Sequence, residues 1–286
     1  MKFHLVHIVP TERHHGLYGY HEVAETIQWG LRELGHEATL ALNQFASGAV
    51  NIVFGAHVLT EEGLNGLPAD SIVYHLEQFR GLRASDIRPN THGAVARFRY
   101  WEYSAANLPT FKLLNCKYEP VLVPVGWAPI LERIPEAAAP DIDVLFYGMT
   151  NELRLSIFHA LCVEGLRCIY ACGMYGAPRD DLISRARIVL NLNMYAFSRI
   201  FEVARVSYLL ANAKAVVSDI HPDSFVEDDL KEAVAFAPPE QIVPTCLGLL
   251  QNEAQRRQLA QRGREIFRQR DIRGILRQAL AASGIA

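Results

Sequence analysis

No part of the chain approaches the ~20 consecutive apolar residues that a bilayer-spanning helix needs. The first residues, one lysine and then an apolar stretch broken by His4 and His7 and ended by Pro10, are expected to form a first strand and not a signal peptide. Neither sign of charge is in surplus. The 28 basic and 31 acidic side chains give a formal net charge of −3, which removes the basic face that nucleic acid requires. Cysteine is sparse, and Cys116, Cys162, Cys168, Cys172 and Cys246 are odd in number and lack zinc-ribbon pairing. Reduced thiols in a cytoplasmic protein are expected. A Walker loop, a dinucleotide fingerprint, a zinc motif and a G-x-S-x-G elbow are also missing. Asp141-Ile142-Asp143 spells D-x-D, but it precedes an apolar strand instead of following one, so no metal site is expected.

What is present is apolar and periodic. Half of the 286 residues are hydrophobic, enough to build the cores of one large or two modest domains. The most informative stretch runs from Ile188 to Asp219. An apolar run, Ile188 to Leu190, ends in Asn191, Asn193 and Tyr195, and a helical pattern follows through Phe201, Val203, Val206, Leu209 and Leu210. Ala215 to Val217 then form a second strand. Strand, helix and strand imply a parallel crossover, with the loops at the carboxyl ends of the strands and a helix N-terminus turned towards any anion there. The Asn191 to Phe201 loop is therefore a candidate phosphate site.

Glu202 and Arg205 open that helix three residues apart, so both can lean to the same mouth. A carboxylate there can accept ribose hydroxyls while the arginine neutralises a diphosphate. A helix-start acid paired with its own i+3 arginine satisfies the same spacing.

The same punctuation recurs upstream. Asp143 to Tyr147 reads as a strand, followed by Gly148, Thr150 and Asn151 and a helix from Glu152 that carries Arg154. This is a second candidate anion pocket. After a strand at Cys168 to Ala171, the loop Gly173-Met174-Tyr175-Gly176 can stack on a base through Tyr175 or be a plain aromatic turn.

In the first half, strands are expected at Phe3 to Val9, Thr39 to Leu42, Asn51 to Phe54, Ser71 to Leu76 and Glu119 to Val123. A helix is expected over Glu22 to Leu34, capped by Gly35. The Pro10 to Tyr20 loop holds His14, His15, Tyr18 and Tyr20. His57 follows the third strand, and His75, Glu77 and Gln78 leave the fourth. Ionisable groups from successive strands thus converge on one edge, though any single histidine can equally be a satisfied core residue. Residues 88–101 read as a loop plus a strand. A linker rich in alanine and proline precedes Asp141. The expected domains are therefore 1–130 and 140–286, the second including three terminal helices.

The run Phe201-Glu202-x-x-Arg205-x-x-Tyr208-Leu209-Leu210-Ala211-Asn212, with Val216-Val217-Ser218 after it, resembles the donor-binding half of bacterial GT-B glycosyltransferases. Asp141 to Gly148, Gly30 to His36, Asn51 to His57 and Leu76 to Gln78 extend the likeness over most of the chain. The resemblance implies an α/β fold of two Rossmann-like domains facing across a cleft, with a compact N-terminal acceptor-side domain and C-terminal helices. It implies transfer of a sugar from a nucleoside diphosphate sugar, with no cofactor beyond that donor substrate, to a glycan or other glycoconjugate acceptor. Arg154 and Arg205, with the Thr150 and Asn151 loop, would then stabilise the departing diphosphate without a metal. Glu202 would hold the ribose and Tyr175 the base, with Gly148, Asn193, Tyr195 and Phe201 completing the donor site. The sequence departs from the retaining pattern of this fold, whose two glutamates eight positions apart fall here on Ile200 and Tyr208. If the enzyme inverts, the acceptor base is sought among His57, Glu77 and His15, in that order.

Gln251 to Leu280 carries eight arginines against three acids. Such helices either pack back as solvated faces or touch the inner face of an anionic membrane peripherally. Two other functions fit the same residues: a non-catalytic nucleotide-sugar-binding or partner subunit, and a nucleotide-sugar isomerase or hydrolase.

Overall fold

The computed structural model describes residues 1–195 and 199–285; the side chains of residues 12–15 lie outside the description. The chain divides into two compact units, Met1–Ile130 with Arg270–Ala286, and Leu131–Gln269.

The first unit begins with β1 (Lys2–His7), a 3-10 segment (Glu12–Tyr20), α1 (His21–Glu33), β2 (Glu37–Leu42) and β3 (Val50–Phe54). It continues through α2 (Glu61–Asn65), β4 (Ile72–His75), α3 (Pro89–Val95), β5 (Arg99–Glu102), α4 (Leu108–Phe111) and β6 (Val121–Leu122). Its six strands pair in the order β2-β1-β3-β4-β5-β6, every pair parallel. A wholly parallel sheet is covered on both faces, which is why Ile52 to Phe54 of β3 and Ile72 to Tyr74 of β4 read as apolar runs and not as alternations. Gly35, at φ +83°, ends α1. The Gly35 and His36 amides bond back to the Arg32 and Leu31 carbonyls, a Schellman closure that a left-handed residue allows.

The second unit runs β7 (Ile142–Tyr147), α5 (Glu152–Val163), β8 (Cys168–Ala171), α6 (Ala177–Arg185), β9 (Ala186–Asn191), α7 (Val203–Ala211), β10 (Val216–Asp219), β11 (Ala235–Ala237), α8 (Ile242–Gln251) and α9 (Glu253–Arg268). Its sheet is also parallel, in the order β11-β10-β9-β7-β8. Its core joins Val144, Phe146, Ile188, Leu190 and Val217 to Ile157, Leu161 and Ile242. α7 ends without glycine: Ala213 takes φ +50°, and the Ala213 and Lys214 amides close on the Leu210 and Leu209 carbonyls.

Both units are Rossmann-like, and in each the strand order reverses once, between β1 and β3 and between β7 and β9. Ligands of open α/β sheets bind beyond the carboxyl ends of the strands at such a reversal.

Three expectations are corrected. Most of the loop after β1 is a 3-10 segment. Residues 88–101 contain the helix α3, which Pro89 opens at a position where a missing N–H costs nothing. The last helix, α10 (Ile272–Ala282), belongs to the first unit and not to a domain spanning 140–286. Its reason is packing: Gly30 of α1 lets Ile272 and Leu276 approach so closely that a Cβ there would stand 2.7 Å from Leu276 Cδ1. The Trp101 indole then donates to Ser283 Oγ at 2.9 Å.

Candidate functional site

At the second reversal, the loops after β7 and β9 and the start of α7 meet around three charged side chains. Arg154, on the first turn of α5, is 1% exposed. Its Nε and Nη2 donate to the Leu192 carbonyl, Nη1 to the Met149 carbonyl at 2.8 Å and to Met194 Sδ, and Nη2 to Glu202 Oε1 at 3.0 Å. Burial pulls this guanidinium below its usual range, with Glu202 opposing the shift. Every donor of Arg154 is used within the protein, so it ties the β7 and β9 loops to Glu202 and has none left for a ligand.

Glu202 is the N-cap residue of α7, just before the helix, and its side chain makes no capping bond. One oxygen takes Arg154 and the other takes Arg205 Nη2 at 2.6 Å. Arg205 lies over the Phe146 and Tyr147 rings, with its guanidinium carbon 5.7 and 5.8 Å from their centroids. Its Nη2 would stand 3.1 Å from a Cβ on Gly148, whose φ is +137°. Arg205 Nη1 has no hydrogen-bond partner among the described residues. A buried guanidinium N–H without a partner costs free energy that an anionic oxygen recovers. The ion pair read from spacing is therefore present, and Nη1, with both its N–H groups, remains beyond it.

The other donor-side residues divide. Asn151 caps α5, accepting from the Arg154 amide at 2.8 Å and donating to the Met194 carbonyl at 3.0 Å. Phe201 is buried edge-on against Phe236 and faces the core. Thr150 is exposed and Tyr175 half-buried; burial pushes the Tyr175 phenol up, and Arg205 is near enough to oppose that shift. Asn193 is buried, with its amide donating to Asp219 Oδ1 at 2.9 Å and its own Oδ1 unpartnered among the described residues. Asp219, raised by burial, also meets His221 Nε2 at 3.2 Å. Asn151, Asn193, Tyr195, Arg199 and His221 line a cavity of 310 Å³. Of the Asn191 to Phe201 loop, residues 196–198 lie outside the described residues. The Asp219 and His221 pair escapes sequence reading because Asp219 is the last residue of β10 and the contact depends on how the chain turns after it, which residue type does not encode.

The positions of the retaining glutamates hold other chemistry. Ile200 is buried, and the Tyr208 hydroxyl donates to Asp180 Oδ2 at 2.8 Å while accepting from Arg133 Nε at 2.9 Å. Asp141 and Asp143 flank the amino end of β7, where Arg185, Arg167 and Arg187 take their carboxylates. That is the opposite edge of the sheet from Gly148.

In the first unit, the reversal between β1 and β3 brings His57 and Glu77 together, with His57 Nε2 3.4 Å from Glu77 Oε1. The Tyr20 hydroxyl donates to the same carboxylate oxygen. Tyr20 belongs to the aromatic loop singled out in the sequence, but its spacing gives no sign of this bond. The His15 side chain lies outside the described residues. His75 does not join the cluster: its Nδ1 sits 2.6 Å from Glu102 Oε2, both buried, because β4 and β5 pair in register at those residues. Burial raises the Glu102 carboxyl.

No protein-family model matches the chain, and no curated protein matches its sequence. Solved structures do. AviGT4, a glycosyltransferase involved in avilamycin A biosynthesis, superposes with a TM-score of 0.58 at 16% identity, over 99% of this chain and 97% of that one. HepE of Anabaena, in complex with UDP and glucose, gives a TM-score of 0.63 at 10% identity over 100% of both chains. Sucrose-phosphate synthase of Thermosynechococcus elongatus gives 0.58 at 12% identity over 99% and 100%. The fold is that of GT-B glycosyltransferases.

Proposed function

We propose that this GT-B chain is a metal-independent glycosyltransferase that moves a sugar, hexose in class, from a nucleoside diphosphate sugar to a glycan or glycoconjugate hydroxyl. The observation that carries the reading is Arg205, whose Nη1, with two N–H groups, has no partner among the described residues, beside the start of α7. A diphosphate oxygen supplies the missing acceptor, and the helix dipole favours its charge. The UDP held by HepE supports a uridine donor as the first to test.

In this reading Arg154 and Glu202 position Arg205, and Glu202 keeps lone pairs free to accept ribose hydroxyls. Asn193, Tyr195 and His221 face the sugar side of the diphosphate, and Tyr175 and Thr150 stand beside the nucleoside. As the bond from the anomeric carbon to the diphosphate breaks, negative charge grows on the leaving oxygen, and a preorganised guanidinium stabilises that change most. If the transfer inverts, His57 takes the acceptor proton and Glu77, steadied by Tyr20, stabilises the resulting imidazolium. A cytoplasmic protein of polysaccharide assembly is the setting this chemistry fits.

The test is a thermal-shift panel of nucleoside diphosphates with and without magnesium. One diphosphate that raises the melting temperature without magnesium supports the donor site, since a ligand of the native state stabilises it by mass action. No shift with any of them removes the reading.

A further inference from the structure

A second cavity of the second unit is on the edge of the sheet away from Arg205. It is a groove of 1010 Å³ whose floor includes Ala186 and Ala215 at the amino ends of β9 and β10. Its lining carries five cationic side chains, Arg187, Lys214, Arg256, Arg257 and Arg264, against two acids, Glu136 and Glu253. Part of this charge is already paired: Arg187 with Asp143 at 2.8 Å, and Arg257 with Glu253 at 2.8 Å. Elsewhere the pairing is incomplete. Lys214 is only 7% exposed; Glu136 is near enough to favour its charge, but among the described residues its ammonium has one hydrogen bond, to the Ser184 carbonyl at 3.3 Å, and no ion pair. Arg264 Nε is buried with no partner among the described residues. Arg256 spends Nη1 on the Leu249 and Leu250 carbonyls; burial pulls its guanidinium below the usual range, Arg187 and Arg257 add to that, and Glu253 and Asp143 oppose it.

A lysine drawn out of water, in a groove that also carries four guanidinium groups and with Glu136 as the one acid acting on it, is costly unless further negative charge completes the site. We propose that this groove is a second anion site of the protein, independent of the donor site, and that it takes a compact polyphosphate, free or carried on a nucleotide. Polyphosphate fits because several oxygens, closely spaced, can meet a point-like ammonium and planar guanidinium groups at once. A bilayer fits less well: Lys214 belongs to the floor, and the nearby helix arginines Arg262 and Arg268 are already held by Glu232 and Glu132.

Isothermal titration of the full chain with inorganic tripolyphosphate, at fixed ionic strength, tests this. UDP is titrated into the same samples. Lys214→Met and the more exposed pair Arg257→Gln/Arg264→Gln are each expected to weaken tripolyphosphate at least about tenfold, the loss of one charge-assisted contact, and to leave UDP affinity unchanged. Arg205→Ala is expected to do the reverse. The double variant decides the matter if Lys214→Met does not fold. Tripolyphosphate affinity that survives the groove substitutions and falls with Arg205→Ala assigns the anion to the donor site and overturns the proposal. So does the absence of binding, or binding only to phosphatidic acid vesicles. Loss of UDP binding by the wild type would remove the donor reading and leave the groove untouched.

Discussion

Gly148 lies against the Arg205 guanidinium, with a φ of +137° and room for a Cβ only 3.1 Å from Nη2. Gly148→Ala therefore meets both a strained backbone and the cation itself. The expected outcome is a folded protein whose diphosphate affinity falls by about tenfold or more, as Arg205 is pushed from its seat on the Phe146 and Tyr147 rings. Titration with UDP measures it, and an unchanged affinity would detach Arg205 from the donor site.

Arg205→Ala is expected to weaken nucleoside diphosphate by about 10- to 100-fold, the worth of a charge-assisted contact, with little change in melting temperature. Arg154→Met behaves oppositely. It strips two backbone carbonyls and one oxygen of the half-buried Glu202 carboxylate of their partner, a loss of about 1–3 kcal/mol for each acceptor left buried. The drop should appear first in the melting temperature, and a stable Arg154→Met protein that has lost only UDP affinity would exchange the two roles.

His57→Ala and Glu77→Gln are expected to lower the turnover of sugar transfer by about 10²- to 10⁴-fold, the usual contribution of a positioned base, while the UDP dissociation constant stays the same. Single-turnover transfer and equilibrium titration separate the two. If neither substitution alters any rate, the chain binds nucleotide sugar without transferring it, or uses another base.

His7 is buried, and its Nε2–H donates to the Leu17 carbonyl at 2.6 Å, while Nδ1 has no partner among the described residues. Burial holds its pKa below that of a free histidine. As pH falls through about 6.5, the unfolded chain gains a proton there that the fold refuses, so stability is lost towards acid pH. His7→Gln keeps a donor for Leu17 and removes the titration. Melting curves from pH 8 to pH 5 should be flatter for this variant, with His36, also held low by burial, retaining its own share. Parallel curves would assign the acid loss elsewhere.

Ala213 occupies the left-handed position that closes α7, at φ +50°. Ala213→Gly relieves a conformation that costs a side-chain-bearing residue about 1 kcal/mol or more, and should raise the melting temperature by a few degrees. A fall would mean that the greater freedom of glycine in the unfolded chain outweighs the strain.

The layout of strands and helices is legible in the residues because parallel strands buried on both faces leave unbroken apolar runs, such as Ile188 to Leu190, and the loops between them keep their polar punctuation. α3 is hidden because Pro89 and Gly93 look like turn residues, although a proline is harmless at a helix start. Residue type alone also cannot tell which way an arginine faces. Arg154 and Arg205 follow the same kind of strand and helix start, yet one is consumed by carbonyls and Glu202 and the other is left with Nη1 to give. The pairing of His75 with Glu102 depends on strand register, and nothing local to either residue encodes it. The partner of α10 is equally non-local, since an amphipathic face announces that it will be covered but not by what.

The return of residues 270–286 to the first unit has a consequence for biosynthesis. Chain emerging from a ribosome delivers β1 to β6 first, but the surface of α1 around Gly30 stays open until Ile272 and Leu276 arrive. Every segment of the second unit is exposed to solvent before then and can complete its own core. The unit whose strands are translated first is thus completed after the other, and a holding chaperone would find its apolar target on α1 until residues 270–286 have followed.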